Sequence, residues 1–147
     1  MEEGLKLKGH INLKLHDKDG NLKDERDINN VVVTVGKNYL AAWLAAATQS
    51  TKFMSYVALG EGEEAAVPGD DDMEEPLSPR VVGTLSSNNA VWQSIAIFNA
   101  GVCTGAITEA GLFSASTSGT MFAHQVFGVI TKTSLDSLTL TWQVTIS

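Results

Sequence analysis

The chain is 147 residues long, with 44% hydrophobic and 18% charged residues, a composition typical of one globular domain rather than a disordered chain. Its 10 basic and 17 acidic side chains give a net charge of −7 at pH 7. This balance argues against a nucleic-acid-binding surface, since phosphate contacts need clustered lysine and arginine. The single cysteine, Cys103, excludes an intrachain disulfide and a cysteine-rich zinc site.

No apolar run in the sequence reaches the ~18–20 residues that a membrane span needs. The first residues, Met1 to Glu3, are acidic and lack the basic and then apolar layout of a signal peptide. We therefore expect a single β-rich domain, residues 1–147, that is made in a cytoplasm and has no membrane partner.

The first third of the chain predicts a β-hairpin and a further strand. Apolar residues at every second position from Leu5 to Leu15 predict a half-buried strand. The Asp-Gly step within Asp17–Asn21 is typical of a tight turn, and residues 22–28 can form the return arm. The β-branched run from Asn30 to Val35 predicts a strand that is buried on both faces.

One helix is predicted, at about residues 37–48, after Gly36 ends the β-branched run. Leu40, Trp43, Leu44 and Ala47 follow the spacing i, i+3, i+4 and i+7, which is the apolar stripe of an amphipathic helix. Five alanines between positions 41 and 47 strengthen this prediction, because alanine has the highest helix propensity.

Strands dominate the rest of the chain. The predicted strands are Ser55–Gly60, Arg80–Ser86, Val91–Phe98, Ile107–Phe113, Thr120–Ile130 and Leu138–Ile146. Short strands at spacings of roughly ten residues predict an antiparallel β-sandwich or jelly-roll-like domain, mainly all-β, with the one short helix.

The negative charge is concentrated in one segment that contains no lysine or arginine. Its acids are Glu61, Glu63, Glu64, Asp70, Asp71, Asp72, Glu74 and Glu75. Prolines at 68, 76 and 79 exclude a regular helix or central strand, so residues 61–78 are predicted to form a long surface loop. Three interpretations stay open: a solvated loop that aids solubility, an interaction loop that faces a basic patch on a neighbouring subunit, and a divalent-cation site formed by the three consecutive aspartates.

No group of residues in the sequence predicts an active site. His10 and His16 share one face of the first strand but lie roughly 20 Å apart at the rise of a strand, so they cannot bind one metal. Asp17–Asn21 partly matches a calcium loop, but Ile28 stands where the bidentate glutamate belongs. Glu109 is the one acid in an apolar strand, and we interpret it as a paired structural carboxylate rather than half of a glycosidase pair. We predict no enzymatic activity, cofactor or metal.

Several segments together resemble a small structural protein of tailed bacteriophages. They are Thr34–Ala41 (TVGKNYLA), Tyr56–Gly62 (YVALGEG), Gly105–Phe113 (GAITEAGLF), Gly119–Ala123 (GTMFA) and Leu138–Trp142 (LTLTW). Related strings of the form ITE-x-GLF also occur in tail-collar fibre domains. The resemblance therefore leaves both the head and the tail of the virion open, and it carries no catalytic residues.

The resemblance implies a virion structural protein made in the cytoplasm of a bacterial host. The leading expectation is a capsid decoration, or cement, protein on the outer head surface, where it would bridge subunits of the major capsid protein through buried contact area. Self-association as a dimer or trimer is expected, because so short a β domain gains from burying a sheet edge. The alternative is a tail, baseplate or fibre component involved in tail assembly or host-surface binding.

Overall fold

A computed structural model describes residues 6–46 and 53–147, and these form nine strands and one helix. The strands are β1 (Leu7–His16), β2 (Leu22–Val32), β3 (Tyr56–Gly60), β4 (Val81–Val82), β5 (Thr84–Asn88), β6 (Val91–Phe98), β7 (Gly105–Phe113), β8 (Met121–Lys132) and β9 (Ser137–Ile146), and the helix is α1 (Thr34–Ala45). The strands pair antiparallel in the order β4-β3-β7-β8-β2-β1-β9-β6-β5. This confirms the predicted all-β class with one short helix.

Two stretches of chain each form strand pairs with both halves of the sheet, and the sheet bends at these stretches into a nearly closed barrel. Most of β2 pairs with β1, whereas its last residues, Val31 and Val32, pair with β8. On the other side, β4 pairs with β3 and β5 pairs with β6, and only Gly83 lies between them. A Cβ at Gly83 would overlap the Ser94 hydroxyl oxygen. The single predicted strand Arg80–Ser86 is therefore two strands that bend at this glycine.

Self-association was expected because a short β domain gains from burying an exposed sheet edge, and the nearly closed sheet leaves little such edge. Among the described strands, the β3 margin is covered by β4 and by Leu77, whose backbone N–H donates to Leu59 O at 2.8 Å. The β6 margin is covered by β5, whose own outer edge is the short polar stretch TLSSN. In the described residues no long apolar strand edge is left to bury, so burial of a sheet edge no longer supports the expected self-association.

Helix α1 begins at Thr34, three residues before its predicted start, and β2 ends at Val32 rather than at Val35. Gly36 does not end a strand but lies buried inside the helix, where an added Cβ would approach the Phe122 backbone to 2.5 Å. Close packing of the helix on β8 therefore depends on this glycine. The predicted end of the helix, at Ala47 and Thr48, lies outside the described residues.

The core lies between the two halves of the sheet. The alternation in β1 is confirmed, since Ile11, Leu13 and Leu15 are buried. In β9 the buried residues are Leu138, Leu140, Trp142 and Val144. Removing these apolar side chains from water stabilises the fold by roughly 25 cal/mol per Å². Within the described ranges, no helix is both long enough and apolar enough to cross a membrane.

Candidate interaction site

The predicted acidic loop leaves β3 after Gly60 and returns towards β4, and its two ends are joined at the base. Glu61 N–H donates to Glu75 O at 2.9 Å, and Gly60 forms an isolated bridge with Pro76. No other regular secondary structure occurs between residues 61 and 78. A loop whose ends are held together in this way is a compact surface unit rather than an open linker.

Glu109 lies under the loop, fully buried in the middle of β7 and opposite Gly60 in β3. Its Oε2 accepts hydrogen bonds from the backbone N–H groups of Gly62 and Glu75, both at 2.8 Å. Its Oε1 accepts the N–H of Glu74 at 3.1 Å. One carboxylate thus satisfies three backbone donors from both sides of the loop, which would otherwise be costly to bury.

His124, on β8, links Glu109 to the tip of the loop. Its Nε2 lies 2.8 Å from Glu109 Oε1 and its Nδ1 lies 2.8 Å from Asp70 Oδ2. The side chains of His124 and Glu109 are only 4% and 0% exposed. Because each ring nitrogen faces a carboxylate oxygen, both nitrogens donate, and the ring is a positively charged imidazolium. We call Asp70, His124 and Glu109 the loop clamp.

Burial and hydrogen bonding act in opposite directions on the clamp. Burial raises the pKa of Glu109, but the hydrogen bonds from His124 and from the three loop amides lower it overall to about 2. Burial lowers the pKa of His124, yet its hydrogen bonds to Glu109 and Asp70 raise it above its ordinary value. The hydrogen bonds between the two groups and to Asp70 therefore favour the ionised form of both, against the effect of burial.

Small residues allow the loop and β7 to approach each other at the clamp. A Cβ at Gly60 would lie 2.6 Å from Glu109 Oε2, and one at Gly62 would overlap the same oxygen. Thr108 Oγ1 also donates to Gly62 O at 2.6 Å. The two segments Tyr56–Gly62 and Gly105–Phe113, which carry part of the phage resemblance, therefore meet in space and form the seat of the loop.

Met73 is the apolar anchor of the loop. It is buried within a small cluster whose other members are Val33, Ala58, Phe113 and Met121. The space for it exists because position 111 is glycine, where an added Cβ would lie 2.6 Å from Met73 Sδ. The loop is thus held both by the polar loop clamp and by the buried side chain of Met73.

The structure divides the eight predicted loop acids into two groups. Asp70 is half-buried and accepts the Val67 N–H at 2.9 Å in addition to its contact with His124. Glu61 is also half-buried, and its Oε2 accepts the Ala106 N–H at 3.3 Å. The other six acids are exposed: Glu63, Glu64, Asp71, Asp72, Glu74 and Glu75. The loop is therefore not simply solvated, since two of its acids build its base and tip.

Sequence reasoning missed His124, which has no neighbour of interest along the chain. It singled out Glu109 as the one acid in an apolar strand, and the structure agrees with a paired structural carboxylate. The only signal for the clamp was that unusual position of Glu109.

Within residues 6–46 and 53–147, no group of three or more His, Cys, Asp or Glu side chains is placed to hold a metal ion. Asp17 instead uses its carboxylate inside its own turn, where it accepts the N–H groups of Asp19 and Asn21 at 2.9 Å each. Comparisons of the chain with protein-family models, with curated proteins and with solved structures found no match.

Proposed function

We propose that this chain is a structural protein of a tailed-bacteriophage virion, specifically a capsid decoration protein that binds the outer head surface and bridges subunits of the major capsid protein. The observation that carries the binding role is an exposed acidic loop held in one shape by Asp70, His124 and Glu109. The phage assignment rests on the sequence resemblance, above all on Tyr56–Gly62 and Gly105–Phe113, which form the seat of that loop.

A loop that is already ordered suits a protein contact. Fixing the backbone of a flexible loop costs about 1–2 kcal/mol per residue, and binding is weakened by whatever part of that cost it has to meet. In this chain the loop is already ordered in the folded protein, in part by the buried hydrogen bonds of Glu109, so a partner does not have to order it. The exposed acids therefore project from a fixed base, as a specific contact requires.

The charge distribution supports a contact with a basic surface. The loop holds 8 of the 17 acids, so the other nine acids are balanced by the 10 basic residues of the chain. A nearly neutral body with one acidic loop would orient the protein on a basic patch, and such complementarity contributes to specificity and association rate more than to affinity.

The copy number per particle tests the proposed location. Quantitative mass spectrometry of purified virions should find hundreds of copies, and labelling should place them on the head. A count of a few dozen or fewer, with label on the tail, would contradict the decoration role and favour the tail, baseplate or fibre alternative.

Charge removal at the loop tests the contact itself. Replacing all three consecutive aspartates would also disturb the clamp through Asp70, so the informative variant is Asp71→Asn with Asp72→Asn. We expect it to bind particles more weakly while it folds normally. The matched control, Asp19→Asn with Glu25→Gln, removes two exposed charges from the β1–β2 hairpin and should bind like wild type. Equal binding by both variants would mean that the loop faces solvent.

A further inference from the structure

A second charged surface lies between helix α1 and the start of β1. Lys6 and Lys8 from the beginning of the described chain and Lys37 from the helix line a groove of about 580 Å³. No acidic residue of the described ranges lines this groove. Among the described residues, none of the three ammonium groups forms an ion pair with a carboxylate. The groove therefore has an uncompensated positive charge.

Between the lysines the groove is apolar. Its floor and wall come from Leu7, Leu40, Ala41 and Leu44. Leu44 is 66% exposed, the largest value for a large apolar side chain in the described residues. An exposed leucine among unpaired lysines fits a partner that is both apolar and acidic, because such a partner would bury the leucine and neutralise the charges.

The outer side of the acidic loop has these two properties. Exposed Glu63 and Glu64 are followed by two alanines and by Val67, which is 49% exposed. Asp70 of the clamp accepts the Val67 N–H, so the backbone that carries this segment is held in place. The segment thus presents carboxylates and an apolar side chain from a fixed support.

Within one copy the two surfaces do not pair. The loop touches the beginning of α1, where Thr34 N–H donates to Pro68 O at 2.8 Å. Even so, no ion pair in the described residues joins an acid of the loop to Lys6, Lys8 or Lys37. The complementary charges are free to meet in a different molecule.

We propose that the acidic loop of one copy docks in the lysine-lined groove of a second copy. The inference goes beyond the proposed function and names the surfaces that would carry the self-association expected from the sequence. Because the contact joins two different patches, it can be made reciprocally in a dimer or head to tail in a ring or chain.

Charge reversal in the isolated full-length protein tests this contact by sedimentation equilibrium. Wild type should associate as concentration rises, and the association should weaken at least several-fold between about 50 and about 500 mM salt. A groove variant, Lys8→Glu with Lys37→Glu, and a loop variant, Glu63→Lys with Glu64→Lys, should each stay monomeric at concentrations where wild type associates. An equimolar mixture of the two variants should associate again, because each then offers the charge that the other lacks.

The matched control is Lys14→Glu with Lys18→Glu, which reverses two exposed lysines outside the groove and should keep the wild-type mass. Leu44→Ser should weaken association without changing any charge. The proposal is overturned if wild type stays monomeric up to about 1 mM, a limit that corresponds to ~4 kcal/mol of binding. It is also overturned if the control disrupts as strongly as the groove variant, or if the mixture fails to associate.

Other occupants of the groove give different results. If Glu2→Lys with Glu3→Lys associates while wild type does not, the groove belongs to the first residues of its own chain. If wild type is monomeric but the groove variant loses particle binding, the groove belongs to the capsid. Either result overturns the contact between copies, while the copy number on virions remains a separate test of the decoration role.

Discussion

Two buried carboxylates each hold a loop, but one acts on its neighbours in sequence and the other acts across the fold. Asp136, whose side chain is 3% exposed, accepts the backbone N–H and the hydroxyl of Thr133, each at 2.9 Å. Glu109 accepts three amides of the acidic loop that lie 34 to 47 residues away. The local carboxylate shapes a turn, whereas the distant one can act only after β3 and β7 have paired.

The partners of the two carboxylates differ in the same way. Hydrogen bonds from Thr133 are the main cause that lowers the pKa of Asp136, and its cationic partner Lys23 is 40% exposed. Glu109 is paired with the buried His124. Water screens the first pair, so breaking it costs little, whereas breaking the second leaves an uncompensated buried charge. The substitutions below test this contrast, from the largest expected effect to the smallest.

Glu109→Ala should have the largest effect. It removes the acceptor of three backbone amides and leaves the His124 charge without its buried partner, so we expect the free energy of unfolding to fall by about 3–5 kcal/mol. Denaturant titration measures this loss. Glu109→Gln keeps the size and one acceptor oxygen and should lose less. If Glu109→Ala cost under about 1 kcal/mol, the clamp would not hold the loop.

His124→Gln should cost about 2–3 kcal/mol at pH 6, because two hydrogen bonds between charged groups are lost. The pH profile identifies the cause. The raised pKa of His124 means that its contribution is complete below 6.5 and disappears as pH rises through the folded value. The contribution of Glu109 is present above 4.5 and disappears as pH falls towards about 2.

Wild type should therefore gain most from the clamp between pH 4.5 and 6.5. Unfolding free energies measured from pH 4 to pH 9 should fall on the alkaline side in wild type and much less in His124→Gln. A control variant, His16→Gln on the outer face of β1, should keep the wild-type profile. An identical alkaline decline in wild type and His124→Gln would contradict a charged His124 in the clamp.

Asp70→Asn should lower the free energy of unfolding by about 1–2 kcal/mol, because the charged His124 ring then donates to a neutral amide oxygen instead of a carboxylate. The more telling measurement is hydrogen exchange, which should quicken at residues 67–73 while the core strands keep their protection. Asp71→Asn, which is exposed and outside the clamp, is the control. If Asp70→Asn and Asp71→Asn gave the same exchange rates at residues 67–73, Asp70 would not hold the tip of the loop.

Asp136→Asn should have the smallest effect, under about 1 kcal/mol, because its partner Lys23 is screened by water and the turn keeps most of its local hydrogen bonds. Hydrogen exchange in the acidic loop should stay as in wild type. If Asp136→Asn lowered the free energy of unfolding as much as Glu109→Ala, the proposed difference between the local and the distant carboxylate would be wrong.

The strands could largely be predicted from the sequence, because alternation depends only on which face is buried. Val91–Phe98 has its predicted bounds, and β9 differs by one residue from Leu138–Ile146. The predicted start of the helix, at about residue 37, was wrong. Thr34 and Val35 continue a β-branched run, and no local pattern indicates that Gly36 packs on Phe122. Here tertiary packing outweighs local propensity.

The clamp could not be predicted from the sequence. Glu109 and His124 become neighbours only through the register of β7 and β8, which shifts between Ile107 and Glu109. Asp70 reaches His124 across 54 residues. An irregular register depends on the assembled sheet, whereas the turn at Asp17–Asn21 could be predicted because its partners are adjacent in sequence.

Gly83 has a consequence for how copies of the chain can be crowded together. The residues on either side of it cover the margins of both β3 and β6, so a change that displaced this stretch would expose backbone groups on two strands at once. Exposed edges recruit further strands without regard to sequence. Because the margins of both β3 and β6 are paired through this stretch, fewer of their backbone groups are open to another chain, and recognition between molecules depends more on charge and shape.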